Sequence, residues 1–336
     1  LNAITRTPQK ERKELMCYVH RPAIIKLPFQ HNTTSSSKCL LLLASFLQES
    51  VTDKGRQALE KFYRQTCVMS VDLGPWAADF FVTTAVRQLS KEVKQERSIG
   101  NYFLDPLKTT LMDLLSGLLN VSPVPLISSN ISDRVRRLLG FLQLENEKDF
   151  SGIIFVRERV KAYVLTELLS QHPETRGRFR SAPFVGESNG GKDAYSFWEK
   201  NNLREQTYNL ERFRKDQTNL IIATSVLEEG IDVSSCHVVI SFDPPDNLKS
   251  FIQRRGRARQ KFSKFVIMIP EGVQDWISKW RALEEEMVRM YADQKRVMEK
   301  QEYDASERMP HEFRLKNGLV IVSITLHLLT TDIEPY

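Results

Sequence analysis

The chain has 336 residues, 41% hydrophobic and 27% charged, with a formal net charge of +6. That length accommodates two or three compact units, and the composition excludes a disordered or fibrous chain. The basic excess suits a polyanionic partner, although an excess of this size also occurs in proteins that bind none.

Taken in chain order, Leu1-Asn-Ala-Ile carries neither an initiator methionine nor a signal-peptide pattern, which predicts a piece of a longer protein. Apolar spacing predicts a short amphipathic helix around Arg12 to Tyr18, closed by Pro22 and followed by an extended Ile24-Ile-Lys-Leu-Pro28 stretch. The polar run Thr33-Thr-Ser-Ser-Ser37 ends a linker over residues 1–37. From 38 to 125 apolar residues recur at helical spacing between breakers at Gly74-Pro75, Gly100 and Pro123 to Pro125, predicting an all-α bundle of four or five helices. The longest apolar run, Cys39 to Phe46, is far short of the roughly twenty residues of a membrane helix, so no membrane partner is expected.

Residues 126–270 change character. β-branched runs at Ile153 to Val156, Leu220 to Ala223, Val238 to Phe242 and Phe265 to Ile269 alternate with helical segments. This predicts an α/β lobe with a parallel sheet and ligands at the carboxyl ends of its strands. Residues 271–310 predict a long charged helix whose Trp276, Trp280, Leu283, Met287 and Met290 form a narrow apolar seam. Near the end, Gly318 to Leu329 is a strand-like apolar run. The four cysteines are scattered without a C-x-x-C pair and no H-E-x-x-H pair is present. Reduced thiols in an intracellular setting, cytoplasmic or nuclear, follow, and no metal ligand is assigned.

Two stretches carry the chemistry. Asn219-Leu-Ile-Ile-Ala-Thr-Ser-Val-Leu-Glu-Glu-Gly-Ile-Asp-Val233 reads as a buried strand entering a glycine-gated turn with an acid. The Thr224 hydroxyl can donate to a phosphate, Gly230 allows a tight turn, and Asp232 can accept from a ribose hydroxyl. In Gln253-Arg-Arg-Gly-Arg-Ala-Arg259, four guanidinium groups crowd six consecutive positions. They repel one another and call for a polyphosphate or nucleic-acid backbone. A nuclear-localisation or general phosphate-binding patch is the competing reading. Gly186-Glu-Ser-Asn-Gly-Gly-Lys192-Asp193 imitates a phosphate loop, but Asp193 stands where a magnesium-holding hydroxyl belongs, so it is read as a decoy.

These stretches resemble motifs V and VI of superfamily 2 helicases. Phe150-Ser-Gly-Ile-Ile-Phe-Val-Arg-Glu-Arg159 resembles motif IV, and Tyr18-Val-His-Arg-Pro22 is similar to the segment after the first helicase lobe in fungal Dicer-like ribonucleases. The resemblance implies a RecA-like second helicase lobe, a helical insertion over residues 38–125 that contacts double-stranded RNA, and clamp helices over 271–310 with a long-helix arm. A packing-only bundle and a helix docked on its own domain remain the alternatives for the last two.

It further implies that Arg257 and Arg259 are catalytic and reach the γ-phosphate of ATP, with Gly230, Asp232 and Gln253 beside the nucleotide and Thr224 on the RNA side. Mg2+ would be held by the first lobe and the nuclease domains of the parent protein, which are also expected partners. No G-x-x-x-x-G-K-[ST], D-E-x-H box or ribonuclease III signature occurs in the chain, so alone it is expected to be inactive as ATPase and nuclease. After His311-Glu-Phe-Arg the sequence departs from the family, and residues 311–336 read as a truncated start of a dimerisation-type domain. RNA silencing and antiviral defence are the implied setting. A non-nuclease RNA-sensing helicase and a FANCM or Hef-type DNA translocase remain alternatives.

Overall fold

The computed structural model describes residues 14–20, 37–47, 53–99, 105–146, 150–186, 203–228, 231, 233, 236–259 and 263–270, with a few helical positions between 282 and 293. Among the described residues, four helices build the bundle: α1 (Lys38–Phe46), α2 (Asp53–Asp72), α3 (Pro75–Ile99) and α4 (Pro106–Leu115). Helix α3 is its axis, because Ala78, Val82, Ala85, Val86 and Leu89 recur at three- and four-residue steps and are buried. Asp79, on the same helix, is fully buried and accepts from Ser37 Oγ (2.6 Å), Cys39 N (2.9 Å) and Val124 N (3.1 Å). One carboxylate thus caps the entry of α1 and pins the strand-free segment after α4. Burial, aided by Asp79 alongside, pushes the Cys39 thiol up to about 12. Between α2 and α3, Gly74 has φ +112° and a Cβ there would lie 2.5 Å from Ile131 Cα, so this turn requires glycine.

The lobe consists of α5 (Asp133–Gln143), β2 (Gly152–Phe155), α6 (Arg159–Gln171), β3 (Ser181–Phe184), α7 (Leu203–Arg214), β4 (Leu220–Ala223), β5 (Val238–Ser241), α8 (Leu248–Arg257) and β6 (Lys264–Pro270). Together with β1 (Glu14–His20) the strands form a six-stranded parallel sheet in the order β1-β6-β5-β2-β4-β3. Every residue of β2, β4 and β5 is buried, as expected of central parallel strands covered on both faces. The chain is therefore an α/β, RecA-like lobe with an all-α insertion. One apolar core runs continuously from Leu43 and Phe62 in the bundle to Ile154, Ile222 and Ile240 in the sheet.

Two strands depart from the expected elements. Where apolar spacing suggests a helix around Arg12 to Tyr18, residues Glu14–His20 are a strand, paired in register from Glu14 with Lys264 to His20 with Pro270. A sheet edge that offers seven residues a complete ladder overrides a marginal local preference for helix. Strand β3 had no sequence signal because Ser181-Ala-Pro-Phe184 interrupts its apolar run with Pro183. A proline is tolerated there because β3 is an edge strand, and Asn209 Nδ2 of α7 donates to Pro183 O at 3.1 Å.

Residues up to Asp275 form one compact unit and Trp276–Tyr336 a second. In the second, positions 282, 283, 285, 286, 289, 290 and 293 are helical, and Leu283 and Met290 of the expected seam are exposed. Trp276, Trp280 and Met287, the run from Gly318 to Leu329 and the stretch from Ile24 to Pro28 lie outside the described residues. Among the described residues no helix is long and apolar enough to cross a membrane.

Candidate functional site

The carboxyl ends of β2, β3 and β4 open onto a cleft of about 530 Å³. Each strand sends its next residues into it: Arg157 and Arg159 after β2, Gly186 after β3, and Thr224, Ser225 and Glu228 after β4. Thr224 is buried, and its Oγ1 accepts from Gly186 N at 3.4 Å, which joins the ends of β3 and β4. Arg157 extends along the rim to Asp246 (2.7 Å). Arg159 opens α6, and its Nε is shielded from solvent and meets no hydrogen-bond partner among the described residues. A shielded guanidinium N–H beside a helix N-terminus suits an anion.

The basic helix α8 lies behind the same β4 turn. Asn247 caps it, accepting from Ser250 N at 2.9 Å. Arg254, to which the sequence analysis assigns no site role, is 2% exposed and bonded through Nε and Nη1. Its Nε donates to Glu228 Oε1 (2.7 Å), and its Nη1 donates to Ser241 Oγ and Asp243 O (both 2.8 Å). Its plane stacks on Phe155, 5.1 Å from the ring centre. Ser250 Oγ takes the second Glu228 oxygen at 2.7 Å. Arg257 is also turned inward and donates to Ile231 O (2.7 Å) and Glu228 O (2.9 Å). Arg259 is exposed, with Nε on Gly256 O at 3.2 Å. Gln253 is half-buried on the same helix. Gly230 and Asp232 lie outside the described residues, although Glu228 before Gly230 and Ile231 between the two are held by Arg257.

Residues 224–228 thus have two faces, one lining the cleft and one gripped by Arg254 and Arg257. Of the six residues singled out by sequence, Thr224 faces the cleft, while Gln253 and Arg257 lie on α8 and Arg259 lies two residues beyond its end. Arg157 and Arg159 figure in the sequence analysis only within the motif IV resemblance, and Gly186 only as the first residue of the stretch read as a decoy; none is assigned there to the site. Basic residues immediately after the buried Gly152–Phe155 run were the available signal. Among the described residues no group of His, Cys, Asp and Glu could hold a metal ion.

Residues 133–261 match the model of the helicase conserved C-terminal domain. Across 99% of its length the chain is 35% identical to Dicer-like protein 2 of Neosartorya fischeri, covering 26% of that protein. It is 32% identical to Dicer-like protein 2 of Cryphonectria parasitica over 94% of the chain and 24% of the relative. It therefore spans about a quarter of the length of these relatives. Among solved structures, the Hef helicase domain of Pyrococcus furiosus is 17% identical, with a TM-score of 0.38 over 81% of this chain and 58% of that one.

Proposed function

The chain belongs to the Dicer-like family and carries its helicase conserved C-terminal domain, and from that premise we propose that it works as the second lobe of an ATP-driven, duplex-RNA-binding motor within a longer ribonuclease acting in RNA silencing. The observation that carries the reading is the two-faced turn at residues 224–228. Arg254 and Arg257 hold it from α8, and its other face joins Arg157 and Arg159 around an anion-ready cleft.

The RNA face suits a phosphate backbone: the guanidinium groups of Arg157 and Arg159 and the Thr224 hydroxyl line it, with no base-reading geometry required. The nucleotide face is α8. Arg259 is exposed, and Gly256 beside it has open space where a Cβ would stand, so a triphosphate could approach the backbone closely. Guanidinium charge near a transferring phosphoryl group is worth on the order of a thousandfold or more in other nucleotide hydrolases. ATP supplies the driving free energy. Its Mg2+ and attacking water would be managed by the first lobe of the parent protein, while Arg257 and Arg259 complete the site from this side and Gln253, Gly230 and Asp232 border it.

Arg257 also supports the turn, so Arg259→Ala in the full-length protein is the cleaner test. We expect RNA-stimulated ATP hydrolysis to fall by at least about a hundredfold while duplex-RNA affinity and melting temperature stay near wild type. Wild-type turnover in that variant would remove α8 from the nucleotide site.

A further inference from the structure

Behind the cleft lies a cluster of four charges drawn from separate parts of the fold, with Lys161 and Asp243 buried and Asp72 and Arg134 half-buried. Asp243, just after β5, accepts at Oδ1 from Arg134 Nη1 (3.0 Å) and Lys161 Nζ (3.1 Å). At Oδ2 it accepts from Lys161 Nζ (2.9 Å) and from the backbone N–H of Arg157 (2.7 Å). Lys161 lies on α6, two residues beyond Arg159, and is 2% exposed. Its third partner is Asp72 Oδ2, at 2.5 Å, on the last residue of α2, and Arg134 Nη1 also approaches Asp72 Oδ1 at 3.4 Å. Within the hydrogen-bonded set Asp72 and Asp243 face Arg134 and Lys161, and the Glu158 carboxyl alongside is raised by burial and by the two aspartates. Asp72 is the bundle's contribution to the set.

The β2–β4 ladder ends at Val156, whose N–H donates to Ala223 O at 2.8 Å. The next amide, that of Arg157, is held by Asp243 alone among the hydrogen bonds described for it, and it fixes the turn that presents Arg157 and Arg159 to the cleft. Oδ2 shares its lone pairs between that amide and Lys161. Lys161 Nζ lies between Asp72 and Asp243, so the charge on Asp72 bears on how strongly the ammonium competes for Oδ2.

We infer that Asp72 is a positioning residue for the cleft: acting through Lys161 and Asp243, it sets the Arg157 amide, so that docking of the helical insertion adjusts the phosphate-facing turn of the lobe. The inference rests on the phosphate reading of the cleft only for its consequence, not for the linkage itself.

Amide hydrogen exchange on the 336-residue chain reads the linkage without any ligand. In Asp72→Asn, exchange at Arg157 should quicken roughly tenfold relative to Val156, the equivalent of one weakened charge-assisted hydrogen bond. Asp72→Glu should restore it. Global destabilisation would speed both amides together, so an unchanged ratio overturns the inference. If Asp72→Asn fails to fold, Lys161→Gln reads the same ratio. Anisotropy with a blunt RNA duplex then separates the two ideas. Weaker binding in both Arg159→Ala and Asp72→Asn supports both. Weaker binding in Arg159→Ala with wild-type binding in Asp72→Asn rejects the positioning role. Unaltered binding in Arg159→Ala, with the Arg157 amide released in Asp72→Asn, rejects the phosphate reading and keeps the linkage.

Discussion

Arginines that look interchangeable in Gln253-Arg-Arg-Gly-Arg-Ala-Arg259 have divided their work by burial. Arg254 spends its fork on Glu228, Ser241 and the Asp243 carbonyl, at a position 2% exposed. Removing it strands the buried Glu228 carboxylate with Ser250 as its remaining described partner. Breaking a buried pair by deleting one member costs roughly 3–5 kcal/mol, so Arg254→Ala should lower unfolding free energy by that amount in urea titrations. Arg254→Lys should recover only part of it, because an ammonium cannot reproduce the planar fork. Arg259→Ala, at an exposed position, should fall within about 0.5 kcal/mol of wild type. Equal losses for the two arginine-to-alanine variants would contradict this division.

At the scale of elements, the charge cluster at Asp243 makes the junction of bundle and sheet sensitive to acid. Burial alone would raise the Asp243 carboxyl, but Lys161, the Arg157 amide and Arg134 outweigh it and hold it below the ordinary carboxylate value. Burial pulls the Lys161 ammonium down, and Asp243 with Asp72 more than reverses this. A depressed carboxyl contributes stability above its unfolded pKa of about 3.9 and loses it as pH falls through the folded value; a raised ammonium contributes below about 10.4 and loses it above. Lys161→Met should therefore be destabilised by roughly 3–5 kcal/mol at pH 7, with the gap to wild type narrowing below about pH 4. A gap constant from pH 7 to pH 3 would refute the assignment.

The elements meeting at this junction differ in how readable they were. The central strands announced themselves because burial on both faces demands unbroken apolar runs such as Val238-Val-Ile240. The α3 axis did so through its period. Strand β1 could not, because its ladder partner is β6 and nothing local in Glu14–His20 encodes that distant pairing. The site was legible where one short stretch carries it, as in Thr224 and the arginines of α8. It was not where chemistry depends on strand ends converging, as with Arg157, Arg159 and Gly186.

For the whole molecule, the most informative residue is one that the lobe itself does not need. Gly256 lies inside α8, half-buried, with nothing within 4 Å of an added Cβ. A glycine in a helix costs up to about 1 kcal/mol relative to alanine, and here no neighbour within the described chain accounts for it. Under the proposed function, an interaction formed only with a second lobe and its nucleotide would account for it, since a bare backbone permits a closer approach than any side chain. The two demands can be set against each other. Gly256→Ala should raise the unfolding free energy of the 336-residue chain by up to about 1 kcal/mol, and the same substitution in the full-length protein should depress RNA-stimulated ATP hydrolysis at least about tenfold. A variant that is both more stable and fully active would mean that no ligand or lobe comes close to α8, and the nucleotide assignment would then have to move elsewhere on the sheet.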